Sequence, residues 1–299
     1  MSEKGDHLQL YTSVDRPFSG FSKDFEKADY VVLGFPFDRT STYRAGSALA
    51  PSTIREASNN IETYSLRSNI DVEDIAICDV GNLDVVDNVE ETLKRLKQVL
   101  KDIHQTGKMP FVIGGEHTLT YAAVRALGND VAIVDFDAHL DLRDEYMGEK
   151  MSHTTFMRRL AEKIGPEKII EVGTRAVSKD ELKYAKEAGI TFFTSYDIRK
   201  RGTAEISEKI NSKLDKYKSK YVTIDIDVLD PAYAPGVGNP EAEGIENFTL
   251  IDILGRIIDE KLVSFDLVEV CPNYDNGVTS ALASKIIFEV LAYIQKHHK

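Results

Sequence analysis

Val131-Ala132-Ile133-Val134-Asp135-Phe136-Asp137-Ala138-His139-Leu140-Asp141 decides the reading of this chain. Apolar strand formers from Val131 to Val134, with Phe136, run straight into three potential metal ligands spaced two apart, Asp137, His139 and Asp141. In an extended conformation alternate side chains point the same way. A strand that ends here throws two carboxylates and an imidazole into one small volume.

Outward from that stretch, strands alternate with helices. Toward the amino terminus, residues 30–35, 74–80 and 110–113 read as buried strands. Between them, Pro51 opens a helix in its first turn, and Asn88 is an N-cap with Glu91 three residues on. Val89, Leu93, Leu96, Val99, Leu100 and Ile103 then follow helical spacing until Gly107 closes the helix, and another begins near Leu119. Toward the carboxyl terminus, strands at 169–172, 191–193, 221–226 and 265–270 alternate with helices from about Thr154, at 179–188, at 203–214 and at about 250–261. A last amphipathic helix carries Leu282, Ile286, Ile287, Val290, Leu291 and Ile294. This order implies an α/β fold with a mostly parallel sheet covered on both faces. With no linker or second composition regime, one domain is expected over residues 1–299, its first 25 residues forming an irregular amino-terminal segment.

Composition excludes some functions. A net charge of −12 argues against a nucleic-acid surface, which needs clustered Lys and Arg, and fits a cationic substrate or ordinary acidic solubility. No apolar run approaches the roughly 20 residues of a membrane helix, so no membrane partner is expected. The polar start, Met1-Ser2-Glu3-Lys4-Gly5-Asp6, has no apolar region of a secretion signal. Cys78 and Cys271 sit in apolar runs and read as small core residues, which fits a cytoplasmic location.

In parallel α/β sheets ligands collect at the carboxyl ends of the strands. Four predicted strands end on ionisable side chains: Gly114-Gly115-Glu116-His117 follows 111–113, Asp137, His139 and Asp141 follow 131–134, Asp225 and Asp227 end 221–226, and Glu269 ends 265–268. Singly, each could be a helix cap, a turn former or a satisfied histidine. Together they would leave unpaired charge on apolar strands unless cations neutralise it. Two imidazoles (His117, His139) and four carboxylates (Asp137, Asp141, Asp225, Asp227), with no thiolate, suit two divalent cations. Manganese is preferred to zinc, whose four-coordinate habit and affinity for sulfur are not served. Two such ions can lower the pKa of a shared water, so the implied chemistry is metal-assisted hydrolysis.

These motifs resemble the ureohydrolase family of arginases and agmatinases. The resemblance is carried by Gly114-Gly115-Glu116-His117, by Asp135 to Asp141, and by Thr223-Ile224-Asp225-Ile226-Asp227-Val228-Leu229-Asp230-Pro231. It is supported by Pro36-Phe37-Asp38, Ala234-Pro235-Gly236 and Val268 to Asp275, in family order. It implies a three-layer α/β/α arginase-like fold, two Mn2+ ions per chain, and hydrolysis of a guanidino group to urea and an amine. By position, His117 and Asp141 would complete one ion's ligands and His139 and Asp227 the other's, with Asp137 and Asp225 bridging. A bridging hydroxide would attack the guanidinium carbon, and Asp141 would help move a proton to the leaving amine. Glu269 would pair with the substrate guanidinium through charge-assisted hydrogen bonds. His153, in Ser152-His153-Thr154-Thr155, matches the family's proton-shuttle histidine, for which a near-neutral pKa is useful; the alternative is a capping residue at a helix start. Glu116 and Asp230 are expected to orient ligands, with Asp135 a weaker candidate for the same role. Homotrimers or homohexamers are also implied, and Arg44, Arg55 and Tyr64 are candidates for subunit contacts.

Residues 142–153 resemble agmatinases and lack the Asn- and Ser-containing loop that in arginases holds the α-carboxylate and α-amino groups. The expected substrate is a small cationic guanidino compound without that carboxylate: agmatine, giving putrescine and urea. Arginase, guanidinobutyrate and formiminoglutamate hydrolysis are the alternatives in the class. A single-metal amide deacetylase and a non-catalytic member of the fold lie outside it. Gly236-Val237-Gly238-Asn239-Pro240-Glu241 departs from the family's Gly-Thr-Gly-Thr-Pro pattern near the pocket mouth.

Overall fold

The computed structural model describes residues 6–13 and 16–298. Among them, a nine-stranded sheet runs in the order Thr12–Ser13, Ile77–Leu83, Tyr30–Phe35, Met109–Gly114, Leu262–Val268, Lys220–Asp225, Ala132–Phe136, Ile169–Thr174 and Thr191–Thr194. All neighbours are parallel except Thr12–Ser13, which runs antiparallel to Ile77–Leu83. Parallel pairing needs long crossovers, and the helices between strands supply them.

The period-2 alternation of each strand sorts its side chains into two apolar layers. Val32, Val134, Val222 and Ile224 face one layer, built with Ala50–Ser58, Ser195–Leu214, Asn247–Ile257 and Val278–His298. Val31, Leu33, Ile133 and Tyr221 face the other, with Val89–Gln105, Leu119–Leu127, Phe156–Ile164 and Lys179–Ala188. The architecture is the expected three-layer α/β/α fold. Each fully buried aliphatic or phenyl side chain in these layers contributes roughly 1.5–3 kcal/mol to stability.

Several expectations are corrected. The segment expected to be irregular at 1–25, part of which lies outside the described residues, contains the helix Asp6–Tyr11 and the edge strand Thr12–Ser13. Leu8 is buried in the second layer and His7 pairs with Asp102, contacts with distant residues that local sequence does not announce. The strand expected at 74–80 begins at Ile77, because Asp71 caps a turn at Val72–Asp74, and it continues to Leu83. The helix expected at 203–214 starts at Ser195 under a Thr194/Asp197 capping box, with a break at Gly202, φ +79°. Val278–His298 is long and apolar enough by composition to span a bilayer, contrary to the sequence reading, but its Ile286, Ile287, Val290, Leu291 and Ile294 are fully buried against the sheet. Arg55, a candidate for subunit contacts, is buried within the chain and forks onto both carboxylate oxygens of Asp79 at 2.7 and 2.8 Å. Both cysteines are buried, as expected.

Candidate metal centre

The four strands whose ends carry ionisable residues, Met109–Gly114, Leu262–Val268, Lys220–Asp225 and Ala132–Phe136, are consecutive in the sheet. Register aligns Ile224 with Phe136 and Asp225 with Val268. Asp137, Asp225 and Glu269 therefore leave adjacent strands at one level.

The ligands converge by turns rather than by continued extension. The strand stops at Phe136, and Asp137 Oδ1 accepts from His139 N at 2.6 Å. Asp225 Oδ1 likewise accepts from Asp227 N at 2.9 Å, at the start of the short 3-10 turn Ile226–Val228. Each Asp folds the chain back so that the ligand two residues on shares its space. Asp141 and Glu269 sit at φ +48° and +65°, conformations that cost a non-glycine residue of order 1–3 kcal/mol and cluster at functional sites. The turn at Glu269 also ends its strand at Val268, two residues short of the expected Val270.

His117 Nδ1 lies 3.1 Å from Asp137 Oδ2, 3.4 Å from Asp225 Oδ2 and 3.7 Å from Asp141 Oδ2. His139 Nδ1 lies 3.3 Å from Asp137 Oδ1 and 3.2 Å from Asp227 Oδ2. Ligand atoms of His117, Asp137 and Asp225 fall within 4.8 Å of one another, as do those of Asp137, His139 and Asp227. Asp137 belongs to both sets. Asp225 belongs to the first only, and Asp141 lies at its margin.

Charge is in surplus here. Burial, then the Asp137 charge, hold the Asp141 carboxyl well above the usual carboxylate range; burial, then Asp227 and Asp137, do the same to Asp225. Burial opposes protonation of His117 and His139, yet the surrounding aspartates outweigh it and raise both imidazoles. Buried His117 Nδ1 and Asp137 Oδ2 make no hydrogen bond. Nitrogen and oxygen donors without sulfur, two of them orphaned, fit a pair of oxygen-preferring divalent cations.

Glu269 Oε1 accepts from His117 N at 2.8 Å, and burial followed by the Glu116 charge pushes its carboxyl up to about 8. His153 is buried, its Nε2 3.2 Å from Thr42 Oγ1 and its Nδ1 unpartnered. It does not cap a helix, since Phe156–Ile164 begins three residues later with no side-chain cap. Burial, then the His139 and His117 charges, push its pKa down to about 4. Glu116 accepts from Thr40 N, Thr40 Oγ1 and Thr118 Oγ1, and Thr40 Oγ1 in turn accepts from His153 N, so Glu116 orients the His153 loop. Asp230 binds Ala232 N and Gly244 N, closing the pocket wall rather than orienting a ligand.

A cavity of about 670 Å³ opens above His139 and Asp141, rimmed by Tyr43, Arg143, Glu181 and the stretch Asn239, Pro240 and Glu241.

A family model described as the arginase family matches residues 28–293. The chain belongs to the arginase family. Among its relatives, the agmatinase of Bacillus subtilis is 38% identical over 277 residues, covering 90% of this chain and 92% of that one. The N(1)-aminopropylagmatine ureohydrolase of Thermococcus kodakarensis is 32% identical, covering 91% and 92%. The crystal structure of the agmatine ureohydrolase of Thermoplasma volcanium superposes with a TM-score of 0.89 at 36% identity, covering 98% and 99%. This arginase-family chain is thus an agmatinase-like ureohydrolase, a hydrolase of guanidino C–N bonds.

Among the residues that the sequence reading of this arginase-family site missed are Arg175 and Glu171. Arg175 donates to the carbonyls of Gly173, Asp227, Val228, Leu229, Glu241 and Ala242, tying the turn that carries Asp227 to the cavity wall. An arginine directly after a strand end was the available signal. Glu171 is paired in register with Asp135; both are fully buried, and burial above all drives both carboxyls well above their usual range. A charged residue within an apolar strand was the signal there.

Proposed function

We propose that this chain hydrolyses agmatine to putrescine and urea with two Mn2+ ions. The observation that carries the reading is the pair of ligand sets sharing Asp137. His117, Asp137, Asp141 and Asp225 would hold one ion, and Asp137, His139 and Asp227 the other, with Asp225 reaching both only as the family resemblance implies. When bound, the ions supply a water acidified enough to attack the guanidinium carbon near neutral pH.

The other steps belong to side chains. Glu269, whose buried carboxyl needs a cation to ionise fully at pH 7, receives the guanidinium through charge-assisted hydrogen bonds. Asp141 takes a proton released in the attack and passes it to the leaving amine. His153, buried beside Thr42 and neutral at pH 7, serves as the acceptor and relay of a proton. A homotrimer or homohexamer is the assembly proposed.

Urea release from agmatine and from arginine, with Mn2+ added, tests the assignment. A kcat/KM for agmatine at least a hundredfold above that for arginine is expected; the reverse order would overturn the substrate. One observation favours a second reading: the cavity of about 670 Å³ extends from His139 and Asp141 to Glu181 and Glu241, with Arg143 and Arg175 also in its wall. An agmatine lengthened at its amine end would fit, and belongs in the same assay.

A further inference from the structure

The side of His117 away from the ligand cluster is as highly organised as the side facing it. Its Nε2 lies 2.8 Å from Thr223 Oγ1. Thr223 Oγ1 donates to Asp266 Oδ1 at 2.5 Å, while Tyr221 OH and Thr120 Oγ1 donate to Asp266 Oδ2 at 2.5 and 2.8 Å. Thr120, Thr223, Tyr221 and Asp266 are all completely buried. Asp135 Oδ1, the other acceptor near Nε2, is 3.7 Å away, beyond hydrogen-bond length.

The directions of these bonds follow from the inventory of donors. With Tyr221 and Thr120 donating to one oxygen of Asp266, the other oxygen accepts the Thr223 hydroxyl proton. With Asp266 held ionised by these three donors, that hydroxyl has only lone pairs to offer His117, so Nε2 carries the ring proton. In the neutral imidazole that can ligate a metal, Nδ1 is then the nitrogen without a proton, and Nδ1 is the atom that faces Asp137, Asp225 and Asp141.

We propose that Asp266 and Thr223 are positioning residues for one metal ion of the pair: the carboxylate, acting through the hydroxyl, holds His117 in the tautomer and orientation that ligates through Nδ1. The inference rests on the binuclear reading of the site. It is selective, because His139, the imidazole of the other ligand set, has no link to this relay in its ion pairs. The two ions should therefore respond differently when the relay is cut. Partners that orient a ligand in this way change metal affinity by about 10- to 100-fold.

The test is calorimetric titration of the chelated full-length chain with Mn2+, with metal content measured after dialysis and circular dichroism confirming that each metal-free variant is folded. Thr223→Val removes the hydroxyl at nearly constant shape, Asp266→Asn removes the charge, and Thr223→Ser restores the relay. The unaltered chain and Thr223→Ser should hold two ions. Thr223→Val and Asp266→Asn should hold one with unchanged affinity and the second about 10- to 100-fold more weakly. Equal weakening of both ions, or two ions held as tightly as in the unaltered chain, would overturn the relay alone. Fewer than two ions on the unaltered chain would overturn the binuclear reading and the relay with it.

Discussion

His117 Nδ1 lies 3.1 Å from Asp137 Oδ2, and although both atoms are buried, neither makes a hydrogen bond. Leaving a buried polar group unsatisfied costs about 1–3 kcal/mol, more for a charged one, so the pair is stable only as part of something larger. Asp137 is the residue common to both ligand sets.

Asp137→Asn should therefore disrupt both ions, whereas Asp227→Asn should weaken mainly the one on His139. Losing a metal removes several kcal/mol of transition-state stabilisation, about a thousandfold in rate. Metal content and urea release of the two variants check this. Two ions retained by Asp137→Asn would contradict the shared role.

The metal-free protein should lose stability as pH rises through neutrality. Glu269 has a folded pKa of about 8, raised above its ordinary value of 4.5. Between those values the folded chain holds a proton that the unfolded chain has released, so stability falls with rising pH. Asp141, Asp225 and the raised His117 and His139 act in the same direction. Together they outweigh the lowered His153 and His104, which act oppositely below about pH 6.5. Melting temperatures of chelated protein between pH 5 and pH 8 should decline, less steeply for Glu269→Gln, and added Mn2+ should reverse the decline. A melting temperature that climbed over this range without metal would count against the buried carboxyl charge.

Much of this site could be read from spacing alone. Asp-x-Asp and Asp-x-His-x-Asp after apolar strands identify candidate ligands because both clusters are local, and alternating strands and helices identify the sheet. What spacing could not supply is sheet order, which makes Lys220–Asp225 the neighbour of Ala132–Phe136 although some 85 residues separate them. The premise of an extended ligand strand was wrong in detail, since Asp137 and Asp225 bend the chain, yet the ligands still converge. Residues acting through long-range contacts, Arg175, Glu171 and Asp266, carry no motif. Their partners are set by tertiary packing.

Arg175→Met should loosen the wall formed by Glu241 and Ala242 while leaving the ligands in the chain. Bonds from a charged donor contribute about 1.5–3 kcal/mol each and are not additive, so a loss of about 3 kcal/mol in stability is expected. KM for agmatine should rise more than kcat falls, with partial rescue by Arg175→Lys. Steady-state kinetics and denaturant unfolding check this, and an unchanged KM would remove Arg175 from the account of the wall.

Gly115→Ala tests the approach of two backbones beside the proposed ligand His117. A Cβ at residue 115 would meet Phe37 O at 2.0 Å, so one backbone must move. The expected cost is about 1–3 kcal/mol or more, with weaker Mn2+ binding because Glu116 and His117 shift together. Unchanged stability and metal affinity would show that the loop at Phe37 yields freely.

The most direct test of the central claim is urea release from agmatine by the full-length chain after chelation, and again after Mn2+ is restored. No urea from the chelated chain is predicted, with activity returning in step with two ions bound per chain. Undiminished urea release without metal, or no urea from agmatine, arginine or guanidinobutyrate once two Mn2+ are bound, would contradict it.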